Sequence, residues 1–498
     1  MTSNCDPPFY ARVAACLLPR ALRCPNDLDV DICSERISRR TMKHICSAIG
    51  LGAALVLLSI NQSFAEPIHT EIQSRLFRLG YQIDVDGLWG PASSQTLGRF
   101  YQERDAQFDG TVGDGVLADL DAAILDQSAL RSGRLLPVNA NQDANCDSIL
   151  EGSMYLPLLS VEELEEYQSI PSQYLDPGRH DQFWNSVIRR LFTWSAIHLR
   201  DPSNARVTEQ LVGQINNLFE AGVATSIADS GILTDGDNES QTLQQAMYLS
   251  TLAYAILALQ ETDASSELQI AELITNLEAL VYSPQLMQSP HFRGSYCQPG
   301  ASGTCQNHTT SKALLRTLMG FLTGREEEVR AAVDVYRFSI DQLAADGALE
   351  VEAVRGAYSW SYYAAGLSHL VGIADLVSRR WFDLWSYENQ NGTTIHDAVN
   401  FYVNSLEDPT NDQLMWRYAR QNRGIDDHRA FSDEPFDLFR HREVVGTKNY
   451  HEWLPPYLSA FPNSNAVVRF ASSVRNRLPP NLPQSNGLNG WCVYPTNL

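Results

Sequence analysis

The chain is short of cysteine, of positive charge and of long apolar runs, and each shortage narrows what it can be. Of nine cysteines, five (Cys5, Cys16, Cys24, Cys33 and Cys46) lie near the start, and only Cys146, Cys297, Cys305 and Cys492 follow. No pair has CxxC spacing and no Cys/His cluster has the spacing of a metal site, so neither a zinc module nor a dithiol redox motif is expected. Lysine and arginine number 37 against 59 acidic residues, a formal net charge of −22. That balance excludes generic nucleic-acid binding, which needs a basic surface. An anionic substrate would need a local basic cleft to overcome the global field. Segments rich in β-formers are scarce. What remains is a chain of 498 residues with 44% hydrophobic content, enough for two or three domains and a sizeable core.

The one long apolar run, Ile45 to Ile60, follows the basic start Met42-Lys43-His44 and ends shortly before Ser63-Phe64-Ala65. Charge, apolar core and a small-x-small cleavage pattern come in the order of an export signal, assigned to residues 42–65. The run falls short of the ~20 residues a spanning helix wants, and no later stretch reaches that length. The alternative is an uncleaved membrane anchor, which the cleavage pattern opposes. Met42 is then the expected true start, with residues 1–41 outside the mature protein and no membrane span after cleavage. Four cysteines would remain in an oxidising compartment, an even number that reads as two disulfides rather than free thiols. Cys297 and Cys305 flank a loop containing Pro299, Gly300 and Gly303, and their bridge would contribute roughly 2–3 kcal/mol by restricting the unfolded chain. Cys146 and Cys492 would tie the start of the large domain to its end.

Between residues 67 and 125 three short helices are expected. Ile72, Leu76 and Leu79 share a face, and Gly80-Tyr81 ends that helix. A turn-rich loop from Asp84 to Pro91 leads to a helix with Thr96, Leu97 and Phe100 on one side. A third helix carries Val116, Leu117 and Leu120. The unit Asp-Gly-x-x-Gly occurs twice, at Asp86 and Asp109, each time before a helix. With Leu76, Leu79-Gly80-Tyr81, Asp86-Gly87, Gly90-Pro91, Thr96, Phe100, Gln102, Asp109-Gly110 and Gly113, the segment resembles the three-helix peptidoglycan-binding domain of bacterial wall enzymes. The resemblance implies wall or glycan binding, although the fold alone does not fix that function. Residues 126–150 read as a linker.

Residues 151–498 are dominated by helical spacing. Phe183, Val187, Leu191, Trp194 and His198 form one such series, and Leu211, Ile215, Leu218 and Phe219 a second. Met247 to Leu259, Ile270 to Leu280, Leu314 to Leu322 and Val329 to Ile340 continue it. Helices joined by Gly- and Pro-containing turns predict an all-α fold, paired helices winding into an incomplete α/α toroid. Two stretches carry chemistry. Asn307-His308 opens an apolar helix, placed to face a cleft, with Thr309 or Thr310 as an ordinary cap the plainer alternative. Arg355 and Tyr362, seven residues apart, would share one face if their segment is helical. Tyr358, Trp360, Tyr362 and Tyr363 surround them as an aromatic cluster of the kind that stacks on sugars. Gln245, with Gln241 beside it, lies on the preceding helix, and Arg293 and His291 precede the expected disulfide loop. Trp381, Trp385 and Trp416 read as core aromatics.

At these residues the large domain resembles the α/α-toroid alginate lyases, over about residues 180 to 405. Members carry an Asn-His pair opening one helix and, about fifty residues on, an Arg followed seven residues later by a Tyr. Here these are Asn307, His308, Arg355 and Tyr362. The small helix expected at His396-Asp397-Ala398-Val399 agrees. One departure stands out: the family's Tyr is usually followed by His, and Tyr363 stands here. The resemblance implies a lyase acting on an acidic, uronate-containing polysaccharide, alginate or polymannuronate first, with no metal or other cofactor. Asn307 would donate a hydrogen bond to the substrate carboxylate. His308 would donate one or accept the proton. Arg355 would supply fixed charge and favour the Tyr362 phenolate, and Tyr362 would act as base, acid or both. Gln245, Tyr358, Trp360 and Arg293 would line the substrate cleft. Two rival readings stand beside this one. A non-catalytic exported glycan- or wall-binding protein would bind saccharide without forming unsaturated product. A toroidal glycoside hydrolase would need two carboxylates across a cleft, and Glu350 and Glu352 are too close in sequence to be an obvious pair.

Overall fold

A computed structural model describes residues 66–131, 134–136, 155–169, 187, 189–223, 238–262, 266–288, 306–356, 359–407, 414–421 and 452–477. The export segment, residues 1–41 and all four later cysteines lie outside the described residues. Among the described residues the fold is all-α. In chain order the helices are α1 (Pro67–Arg78), α2 (Pro91–Gln102), α3 (Asp114–Leu130), α4 (Val161–Ser169), α5 (Arg189–Arg200), α6 (Ala205–Glu220), α7 (Asn238–Gln260), α8 (Glu267–Val281), α9 (Pro284–Gln288), α10 (Asn307–Thr323), α11 (Glu326–Asp341), α12 (Glu350–Ala353), α13 (Ser359–Arg380), α14 (Ile395–Glu407), α15 (Met415–Ala419), α16 (Leu454–Ala460) and α17 (Asn465–Arg477). None of them is long and apolar enough to cross a membrane.

The first three helices close over Ile72, Leu76, Tyr81, Leu97, Phe100, Val116 and Leu120. The expected turn chemistry is present. Gly80 follows the last turn of α1 with φ +99°, and Gly87 has φ +73° in the first Asp-Gly loop. Buried Gln73 organises that loop: its amide donates to Asp86 Oδ1 and the Leu88 carbonyl, and its Oε1 accepts from the Gly87 N–H at 2.7 Å. The third helix continues to Leu130, past the expected start of the linker.

These helices lie in one compact unit with the rest of the described chain, Ala65–Leu498. Phe77 turns away from the small core and joins the large one, packing edge-on against Trp381 and Phe382. Arg337 of α11 donates to the Gly80 carbonyl at 3.2 Å, and its guanidinium lies over Phe77, Phe382 and Tyr387. Arg78 and Ser74 both reach Glu326, the first residue of α11, so a basic helix end meets an acidic helix start.

The large core is built on helical hairpins. A two-residue turn joins α10 to α11, with Gly324 at φ +74° as the left-handed cap. Short turns likewise pair α5 with α6 and α7 with α8. Helix α10 is central: α7, α11 and α13 all pack along it. It is buried on nearly every face, Lys312 included.

Candidate active site

Helix α10 begins where the sequence places its Asn-His pair. Asn307 is its first residue and Gln306 precedes it. Asn307 is buried, its side-chain Oδ1 has no hydrogen-bond partner among the described residues, and His308 beside it is half-buried. The backbone N–H of Asn307 is one of the donors a helix start leaves without an intrahelical acceptor. It is satisfied from 45 residues away, by Glu352 Oε1 at 2.5 Å. Glu352 Oε2 lies 3.9 Å from Arg355 Nη1, and the same guanidinium donates to Gln306 Oε1 at 3.3 Å. Arg355 stands 4.3 Å over the ring of Tyr362. The order Asn307, Glu352, Arg355, Tyr362 is thus a chain of direct contacts.

The condition under which Arg355 and Tyr362 would share one helical face is not met. The short helix α12 ends at Ala353 and α13 begins at Ser359. Between them the backbone turns through Gly356 at φ +61°, a conformation that interrupts the helix. Arg355 therefore reaches Tyr362 across a turn. Tyr358 lies outside the described residues, as do Arg293, His291 and the cysteines Cys146, Cys297, Cys305 and Cys492.

Trp360 is 1% exposed and packs against Trp416, so in this structure its ring faces the core and not a sugar. Gln245 is buried on α7, alongside α10, with its Nε2 lacking a hydrogen-bond partner among the described residues. Trp381 and Trp385 are core aromatics as expected. Tyr363 has a structural task. Its hydroxyl accepts from the Leu349 N–H and lies within hydrogen-bond reach of the Gly347 and Ala398 carbonyls. Burial pushes this phenol well above its usual pKa. It therefore serves as a fixed neutral pin between α14 and the loop before α12.

Sequence reasoning missed three groups. Glu352 was weighed only as a hydrolase carboxylate, although its i, i+3 spacing from Arg355 was visible. Gln306 was passed over beside Asn307. His369, two turns beyond Tyr362 on α13, carried no signal beyond its i+7 spacing. It is buried, with Nδ1 3.1 Å from Thr310 Oγ1, whose hydroxyl also meets the Asn307 carbonyl. Burial depresses its pKa to about 3, so it is a neutral partner under the first turn of α10. Arg420 over Trp416 adds a second cation to this side of the domain. Among the described residues no three His, Cys, Asp or Glu side chains are grouped to hold a metal ion.

The arrangement joins buried hydrogen-bonding groups, a fixed cation and a half-buried phenol and imidazole at a helix N-terminus. It favours a carboxylate ligand and offers two groups able to move a proton. No curated protein matches the chain. Solved structures similar to it include alginate lyase A1-III from Sphingomonas species A1, at 16% identity and TM-score 0.47, covering 69% of this chain and 88% of that one. An alginate lyase from Bacteroides ovatus is similar at 11% identity and TM-score 0.46, over 70% of this chain and 92% of that one. Residues 251–411, which hold Asn307, His308, Glu352, Arg355 and Tyr362, match the alginate lyase family model.

Proposed function

We propose that this protein cleaves a 4-linked uronate polysaccharide, polymannuronate of alginate first, by β-elimination. The observation that carries this reading is Arg355, held beside Glu352 and over the Tyr362 ring next to the Asn307 helix start. In such a reaction the C5 proton leaves, the C4–O bond breaks, and its electron pair departs on the oxygen, which takes up a proton. The product carries a double bond conjugated with its carboxylate. The substrate carboxylate opposes loss of the C5 proton until donors take up its charge. Asn307, Arg355 and the helix N-terminus are placed to do this, and removing one such donor typically costs ~10²–10³ in rate. His308 and Tyr362 are the two groups suited to move the proton.

The small module and the export signal extend this reading. A signal at residues 42–65 would deliver the enzyme to the periplasm, where Cys297 could pair with Cys305 just before the site and Cys146 with Cys492. The helices of residues 67–125 would then bring it to peptidoglycan or another glycan. The glycine loops and the Gln73 network support this as a module of the expected three-helix form. The test is to incubate the mature protein with polymannuronate, polyguluronate and glucuronan and follow the ultraviolet absorbance of the unsaturated uronate. Absorbance growing with wild type and not with Tyr362→Phe supports the reading. Silence on all three polymers, with saccharide still bound, would leave a glycan-binding protein instead.

A further inference from the structure

Glu352 is the best-connected group at the site and takes no part in the reaction drawn above. It is 1% exposed, on the four-residue helix α12. Its stem lies against Gly366 of α13, where a Cβ would sit 3.6 Å from the Glu352 Cγ. One carboxylate oxygen accepts the first N–H of α10, and the other faces the Arg355 guanidinium at 3.9 Å. A buried carboxylate is expensive to hold unless it is hydrogen-bonded and paired, and this one is both. The two groups it joins lie 48 positions apart in sequence and on different elements. On its other side Arg355 meets Gln306, the residue before Asn307, so the guanidinium and the helix start are closed into one ring.

We infer that Glu352 is the positioning residue of the site: it fixes Arg355 against Tyr362 and locks that pair to the start of α10. The inference rests on the lyase reading. Its negative charge faces the guanidinium, and its hydrogen bond fixes where the Asn307 side chain begins. Preorganised donors count most for charge that develops in the transition state, and a misplacement of about 1 Å can cost ~10²-fold in rate. The effect should therefore fall on kcat more than on KM.

The experiment is a double-mutant cycle on polymannuronate with Glu352→Gln, Arg355→Ala and the pair together, each checked for native circular dichroism and a cooperative melt. Glutamine keeps the shape and an acceptor for the Asn307 N–H but loses the charge that holds Arg355. The expected result is a kcat lower by ~10²-fold in Glu352→Gln with little change in KM. The double variant should be no slower than Arg355→Ala alone, because residues acting as a unit are not additive. Glu352→Asp, which keeps the charge, should recover part of the loss. Wild-type kcat in a folded Glu352→Gln, or fully additive losses in the pair, would overturn the role while leaving the lyase reading intact. A wild-type protein that forms no unsaturated product from any of the three polymers would overturn the lyase reading itself, and the role with it.

Discussion

Two buried arginines divide the molecule between them. Arg337, at the seam between the small module and the large domain, is enclosed by three aromatic rings and donates to a backbone carbonyl. Burial holds its pKa below the usual value. Arg355, beside the start of α10, lies over the half-buried Tyr362, and its partners include a carboxylate and an amide. The same guanidinium serves as mortar in one place and as a poised charge in the other. Both are buried, so the partners make the difference: a cation among rings contributes packing, whereas one beside a carboxylate and an amide is part of a polar network.

The largest contrast should come from activity. Tyr362→Phe is expected to lower kcat/KM on polymannuronate by ~10²–10⁴, the span of a lost proton-transfer group. Arg337→Met should instead leave kcat/KM unchanged while lowering the melting temperature. If Arg337→Met proved as inactive as Tyr362→Phe while still folded, the division between seam and site would be wrong.

Next in size is the seam itself. Phe77→Ala empties a pocket between Trp381, Phe382 and Arg337 and should cost about 3–5 kcal/mol of stability, read by denaturant unfolding. A loss confined to a separate early transition would show that the three-helix module melts alone. A single shifted transition would show that it is welded to the large domain. Gly80→Ala tests the same seam more gently. The position has φ +99° and lies 3.0 Å from the Phe382 Cβ, so a methyl group should cost about 1–2 kcal/mol from backbone strain alone. Gly110→Ala, also at positive φ but in open space, supplies the control with strain and no clash.

The smallest effect is a pH dependence. Burial lowers the pKa of His198 to about 4, and its ring nitrogens meet Thr208 and Thr262 hydroxyls. The unfolded chain, with a histidine pKa of about 6.5, binds a proton that the folded form refuses. The stability this histidine contributes is therefore complete above pH ~6.5 and is lost as pH falls toward 4. His198→Gln should melt with a shallower pH dependence than wild type across that window. An identical slope would place the histidine's titration outside folding.

Much of this was legible in the sequence because it is written in local spacing. The helix periods, the glycine caps at Gly80 and Gly324 and the Asp-Gly loops each follow from residues within a few positions of one another. The all-α class follows from the same patterns, and Asn307, His308, Arg355 and Tyr362 were found by their order along the chain. What escaped was every contact between distant residues. Arg355 and Tyr362 would share a face only if their segment were one helix, and Gly356 breaks it, yet the tertiary fold restores their contact by another route. Trp360 had the composition of a sugar platform and became core, because which face of α13 turns inward depends on its packing against α10 and α15.

By itself, then, the sequence determined the helices, their ends and the identity of the groups able to do chemistry, since these depend on interactions a few residues apart. Only the tertiary structure decided that Phe77 leaves its own module for the neighbouring core. It alone decided that one buried arginine packs among rings and the other faces a carboxylate, and that a glutamate 45 residues away caps the helix carrying Asn307. The physical reason is common to all three. Burial and electrostatic pairing are set by what the folded chain brings within a few ångströms, and no local pattern in the sequence records that distance.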